Sequence, residues 1–133
     1  MINTATAGVQ VRGDFQKCFD FYTEKLGLVP IYHDKAYASF SNYKHGAPFF
    51  AIYEAKDASN RVKEYEIPGN ALSSDTLTAV FHTTDFESDY KRMSDAGVTF
   101  IGRRNFASEG FDFNLAYFRD PEGNLLSLED GGV

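Results

Sequence analysis

Few side chains in this 133-residue chain have types and settings that could do chemistry. Glu129 closes the run Leu125-Leu126-Ser127-Leu128-Glu129, where the strand period of two puts Ser127 and Glu129 on one face and Leu126 and Leu128 on the other. A carboxylate there can act as a general base or attract a cationic ligand. The plainer reading is a charge at a solvated rim. His82 lies on a second such run, Leu77 to Thr83. Thr78, Val80 and His82 share one face of that run, and Ala79, Phe81 and Thr83 share the other. An imidazole can move a proton near neutral pH, but one that stands alone reads first as a polar surface or cleft residue. His33 and His45 fall in predicted turns.

Cys18 is the only cysteine, which excludes an intramolecular disulfide and a cysteine-cluster zinc site. It lies on an apolar helical face and reads as a small buried hydrophobe; a nucleophilic thiol needs an accessible, electropositive setting. Aromatic residues make up 16% of the chain, with no Trp, and Phe15, Phe19, Tyr22, Phe86 and Tyr90 are accounted for by helical core faces. Phe40, Tyr43, Phe49, Phe50, Tyr53, Phe106, Phe111 and Phe113 remain on strands and loops, more than a small core needs. Some of them are expected to line a ligand cleft or a subunit contact, and sheet packing must account for most.

A formal charge of −6 argues against a polyanion as the main partner, because phosphate binding needs clustered Lys and Arg. A neutral or cationic small molecule stays open, and nucleic acid and membrane are not expected as partners. No apolar run approaches the ~20 residues that span a bilayer, and the start, Met1 to Thr6, lacks a basic region leading into an apolar one. A cytoplasmic protein is expected.

The elements that must position these residues repeat. Ala7, Val9 and Val11 alternate as a first strand; Asp14 caps a helix with Phe15, Cys18, Phe19, Tyr22 and Leu26 on one stripe; Gly27 stops it. Strand-like runs follow over 28–32, 37–43 and 48–54. Leu77 to Thr83 then restarts the pattern, with Asp85 as cap, Phe86, Tyr90 and Met93 as the stripe, Gly97 as the stop, and a strand beginning at Val98. Between the halves lies a polar stretch, 56–75, read as a linker in which 57–66 could form a short helical turn. The whole is one α+β domain over 1–133, with module 1 at about 1–55 and module 2 at about 76–133. Each module is βαβββ, and together they make a curved mixed sheet with a concave cleft for a ligand.

The chain closes on a hairpin, Asn114 to Glu129, whose turn Asp120-Pro121-Glu122-Gly123-Asn124 supplies a preset φ at Pro121 and a Gly free to take φ > 0. This turn and the strand after it, with the duplicated strand-helix pattern, resemble the vicinal oxygen chelate superfamily of glyoxalases, extradiol dioxygenases, and fosfomycin- and bleomycin-resistance proteins. In metal-dependent members of that family the residue three after the turn Asn is usually a Glu that binds the metal; here it is Ser127. Carried over by strand, the resemblance puts the other ligand positions on Thr6 or Ala7, on Thr78, and on Ala51, Tyr53 or Glu54. Uncharged hydroxyls bind divalent metals poorly beside water, so no metal and no cofactor are expected.

The resemblance therefore implies first a metal-independent, bleomycin-resistance-like protein. It would bind a small organic molecule in an aromatic-lined cleft, with Thr6, Tyr53, Glu54, Thr78, Val80, Phe111, Phe113 and Ser127 as the candidate contacts. The alternative is a glyoxalase-like lyase or isomerase, or a dioxygenase-type enzyme, that uses Glu129 or His82 for acid/base chemistry or an unrecognised metal site. A third reading is a non-catalytic subunit for a protein partner. Family members often form dimers, so a homodimer is expected.

Overall fold

The computed structural model describes residues 1–2, 5–54 and 77–131. It divides into two compact units, Met1–Ser73 and Ser74–Val133, and each repeats the order strand, helix and three strands. The expected turn within 57–66 and the whole linker, 56–75, lie outside the described residues.

In the first unit β1 (Ala7–Val11) leads to helix α1 (Phe15–Asp20), which runs on as a π-helical turn over Phe21–Lys25, and then to β2 (Val29–His33), β3 (Tyr37–Ser41) and β4 (Phe50–Glu54). Asp14 starts the helix because its carboxylate accepts the otherwise unpaired N–H of Lys17 at 3.1 Å. Gly27, at φ 79°, ends the turn in a conformation that a Cβ disfavours. The sheet order is β1-β4-β3-β2, with β1 and β4 parallel and the other pairs antiparallel. Val9, Val11, Phe40, Phe50 and Ile52 form its buried face, on which Tyr22 packs against the rings of Phe40 and Phe50.

Several strand boundaries differ from the sequence reading. β2 runs through His33, which pairs with Ala38 and sets its ring 4.9 Å from Phe19, so this histidine ends a strand and lies outside a turn. β3 stops at Ser41 and β4 begins only at Phe50. Between them His45 takes a positive φ of 65°, Gly46 donates to Tyr43 O, and Pro48 has no N–H to continue the ladder.

The second unit has β5 (Leu77–His82), α2 (Phe86–Asp95), β6 (Phe100–Asn105), a 3-10 turn (Ala107–Glu109), β7 (Asn114–Arg119) and β8 (Leu125–Glu129). Its order, β5-β8-β7-β6, matches the first, again with one parallel pair, β5 and β8. Asp85 caps α2 by accepting from Ser88 N. Ala79, Ala116, Phe118, Leu126 and Leu128 are buried on one face of the sheet, and Phe86 and Met93 of α2 are buried in the same unit. Arg103 spreads its guanidinium over the rings of Phe86 and Tyr90 and pairs with Glu87, so its stem covers apolar surface while its charge stays paired.

The turn between β7 and β8 is built on Asp120, which is only 5% exposed. Its carboxylate accepts from Glu122 N, Asn124 N and Asn124 Nδ2 at 2.9–3.0 Å. Gly123 sits at φ 84° with open space where a Cβ would stand, so a side chain there meets backbone strain and no steric clash. Gly123→Val is therefore expected to cost about 1–2 kcal/mol, read as a lower urea midpoint with an unchanged m-value. An unaltered midpoint would show that the turn tolerates a β-branched residue.

Candidate functional site

Each sheet has one face that carries the core and one turned away from it, and the candidate residues divide between these faces by register. In the first unit Gly8 pairs with Ala51 and Gln10 with Tyr53 across β1 and β4, and Tyr37 pairs with Tyr53 and Ser39 with Ala51 across β3 and β4. A pairing irregularity between Pro30 and Tyr32 resets β2, so that Tyr32 lies opposite Ser39. Three phenols consequently stand in a row on the open face. Tyr32 and Tyr37 have ring centroids 6.0 Å apart, and Tyr37 and Tyr53 are 5.2 Å apart. Both separations lie within the range of favourable aromatic pairs.

Local contacts fix this row. The turn residue Asp34 accepts from Ala36 N and Tyr37 N, and also from the Tyr32 hydroxyl at 3.0 Å. The backbone bond from Ala36 and the Tyr32 hydroxyl together hold the Asp34 carboxyl below its ordinary range. In return, the hydrogen bond and charge of Asp34 raise the Tyr32 phenol above its ordinary value, so it stays a donor. At the other end the Tyr53 ring lies over Gly8, where a Cβ would come within 2.6 Å of its Cε2. Gly8 is thus the residue that lets Tyr53 lie down on the sheet. Beside them the side-chain oxygen of Gln10 is buried and has no hydrogen-bond partner.

In the second unit Val80 pairs with Ser127 and His82 with Glu129 across β5 and β8, while Tyr117 pairs with Ser127 and Leu115 with Glu129 across β7 and β8. The open face therefore holds Val80, His82, Leu115, Tyr117, Ser127 and Glu129. His82 Nδ1 lies 3.8 Å from Glu129 Oε1, close enough for ionic attraction and too far for a hydrogen bond. Ser127 is fully buried, and its Oγ has no hydrogen-bond partner.

The remaining candidates are more scattered. Thr6 is exposed just before β1, and Ala7 opens that strand opposite the buried Phe50. Glu54 pairs with Val11, which gives it the parity of the buried Ile52 and Phe50 and not that of Tyr53. Thr78 falls at the pairing irregularity between Leu77 and Ala79. Phe111 is exposed in the connection from β6 to β7. There Phe113 stacks on Phe106 at 4.3 Å, with Arg104 over the Phe106 ring and paired to Glu109. Gly8, Gln10, Tyr32 and Tyr37 were not singled out in the sequence. The alternation of Tyr37, Ser39 and Ser41 was a signal for the face of Tyr37, but nothing local showed that it would meet Tyr53.

The repeat also bears on the metal question that the family resemblance raises. With Gly13 taken as one extra residue before the first cap, so that the buried faces of β1 and β5 match, the pair Gly8 and Ala51 occupies the place of Val80 and Ser127, and Gln10 and Tyr53 that of His82 and Glu129. The β4 counterpart of Ser127 is therefore Ala51, which has no donor atom. Thr6, Ala51, Thr78 and Ser127 offer hydroxyls and a methyl, a donor set that does not fit a divalent cation. Among the described residues no three His, Cys, Asp or Glu side chains converge, and no helix is long and apolar enough to cross a membrane.

A family model described as the Glyoxalase/Bleomycin resistance protein/Dioxygenase superfamily matches residues 3–128. Among solved structures, a bleomycin resistance determinant encoded on the transposon Tn5 is 18% identical with a TM-score of 0.65, covering 99% of this chain and 100% of its own. The antibiotic-binding protein TnmS3 from Streptomyces sp. CB03234 is 19% identical with a TM-score of 0.65 and 98% of both chains covered. A lactoylglutathione lyase from Agrobacterium tumefaciens is 17% identical with a TM-score of 0.66, covering 98% of this chain and 96% of its own. No match was found among curated proteins. At these identities the structural likeness establishes the fold and leaves the activity to the residues.

Proposed function

From the premise that the chain belongs to the glyoxalase/bleomycin resistance protein/dioxygenase superfamily, we propose that it binds a small organic molecule on its open sheet faces without a resident metal. The observation that carries this reading is the row Tyr32, Tyr37 and Tyr53 beside the unpartnered oxygen of Gln10. Three rigid aromatic side chains present a large contact area at small entropic cost, and a buried acceptor without a partner gains a full hydrogen bond when a ligand supplies the donor. The likeness to a bleomycin resistance determinant and an antibiotic-binding protein supports a binding role.

The test is an NMR titration with 2-naphthylmethanol, a neutral flat probe. Tyr53→Ala is expected to weaken binding about tenfold, and Gly8→Val, which displaces the Tyr53 ring, is expected to weaken it in the same direction. Wild-type affinity in Tyr53→Ala would overturn the reading. An enzymatic reading has one observation in its favour, the His82 and Glu129 pair, which could hold and pass a proton. It requires turnover that disappears in Glu129→Gln.

A further inference from the structure

Ser127 Oγ is a hydroxyl with nowhere to bond. Its residue is 0% exposed, and no hydrogen-bond partner reaches it. A buried polar group in that condition costs free energy, so it marks a place where something else belongs. The hydroxyl lies on the open face of the second sheet, between Val80 and Tyr117 in register, and these two side chains are 37% and 36% exposed.

The charges around it select the class of group. Two residues on, Glu129 shares the face, its side chain 23% exposed, and its only close ionic contact among the described residues is His82 at 3.8 Å. The cations of the same sheet are engaged elsewhere: Arg104 pairs with Glu109, Arg103 with Glu87, and Arg119 donates to Gly123 O at 2.7 Å. A carboxylate and a hydroxyl both accept hydrogen bonds. Their common complement is a group with several N–H donors and a positive charge.

We infer that the open face of the second sheet is a subsite for the ammonium group of an organic amine, with Ser127 Oγ and the Glu129 carboxylate as its acceptors and Tyr117 and Val80 as its apolar walls. This rests on the small-molecule reading above and names the chemical class that the face of the second sheet, taken by itself, would bind. His82 faces Glu129 from β5 and is the titratable group packed beside it.

The matched probes 2-naphthylmethylammonium and 2-naphthylmethanol, titrated at pH 7.5 into the intact protein, test it. The ammonium is expected to bind about tenfold more tightly than the alcohol and to shift the amide resonances of Ser127 and Glu129. Ser127→Ala and Glu129→Gln should each remove most of that preference. Ser127→Ala has a second readout: deleting an unpartnered buried hydroxyl should leave the free protein as stable as wild type or raise its Tm by a few degrees, so lost binding cannot be put down to unfolding. Equal affinity for the two probes, or a preference that survives both substitutions, would overturn the subsite and leave the Tyr53-dependent binding of the alcohol standing. Binding of neither probe would overturn both.

Discussion

Phe118→Ala is expected to lower the stability of the protein by about 4 kcal/mol, while Tyr117→Ala, one residue away, should cost about 1 kcal/mol or less. Phe118 is fully buried, sits edge-on to Phe100 at 5.6 Å and lies 6.4 Å from the Phe81 ring, so its loss leaves a cavity between strands that cannot fully collapse. Tyr117 points to the opposite face of β7 and is more than a third exposed. Urea unfolding of the two variants measures the asymmetry directly. Comparable losses would mean that both faces of the second sheet are core, and the open face on which the amine subsite stands would not exist.

Asp120→Ala should cost about 3 kcal/mol and lower Tm by about 10 °C, although the residue is polar and sits in a turn. Its carboxylate binds two backbone N–H groups and the Asn124 amide, and the residue is almost wholly buried. Alanine leaves these donors without a charged acceptor. Asp120→Asn keeps an oxygen for the two backbone donors and should recover more than half of the loss. The same turn holds β7 against β8, including the pairing of Tyr117 with Ser127, so Asp120→Ala should also loosen ligand binding. A variant with wild-type Tm would mean that the turn is set by Gly123 and Pro121 alone.

Much of the framework was legible because it depends on neighbours in sequence. Asp14 and Asp85 cap helices through bonds reaching three residues on, and Gly27, Gly97 and Gly123 take positive φ where a turn demands it. The split of Leu126 and Leu128 from Ser127 and Glu129 follows from the two-residue period of a strand, which no tertiary contact has to enforce. The repeat, and with it the α+β class, rested on the same local signals. The π-helical turn at Phe21–Lys25 did not show, because the stripe of Phe19, Tyr22 and Leu26 reads alike for either winding.

The site depended on what strands do sideways. Whether Ala51, Tyr53 or Glu54 is the counterpart of Ser127 turns on which β1 residue each one faces, a pairing made across some forty residues of chain. The tyrosine row needs β2, β3 and β4 in one register, and the irregularity at Pro30 and Tyr32 shifts that register by a step that no local propensity predicts. Gly8 matters only because Tyr53 lies on it, and Ser127 only because nothing reaches its hydroxyl. Caps, stops and strand faces were fixed by the sequence alone because hydrogen bonds within a few residues decide them. Lateral register, and the unpartnered polar atoms it leaves, was decided by the tertiary structure because it minimises the energy of the whole sheet at once.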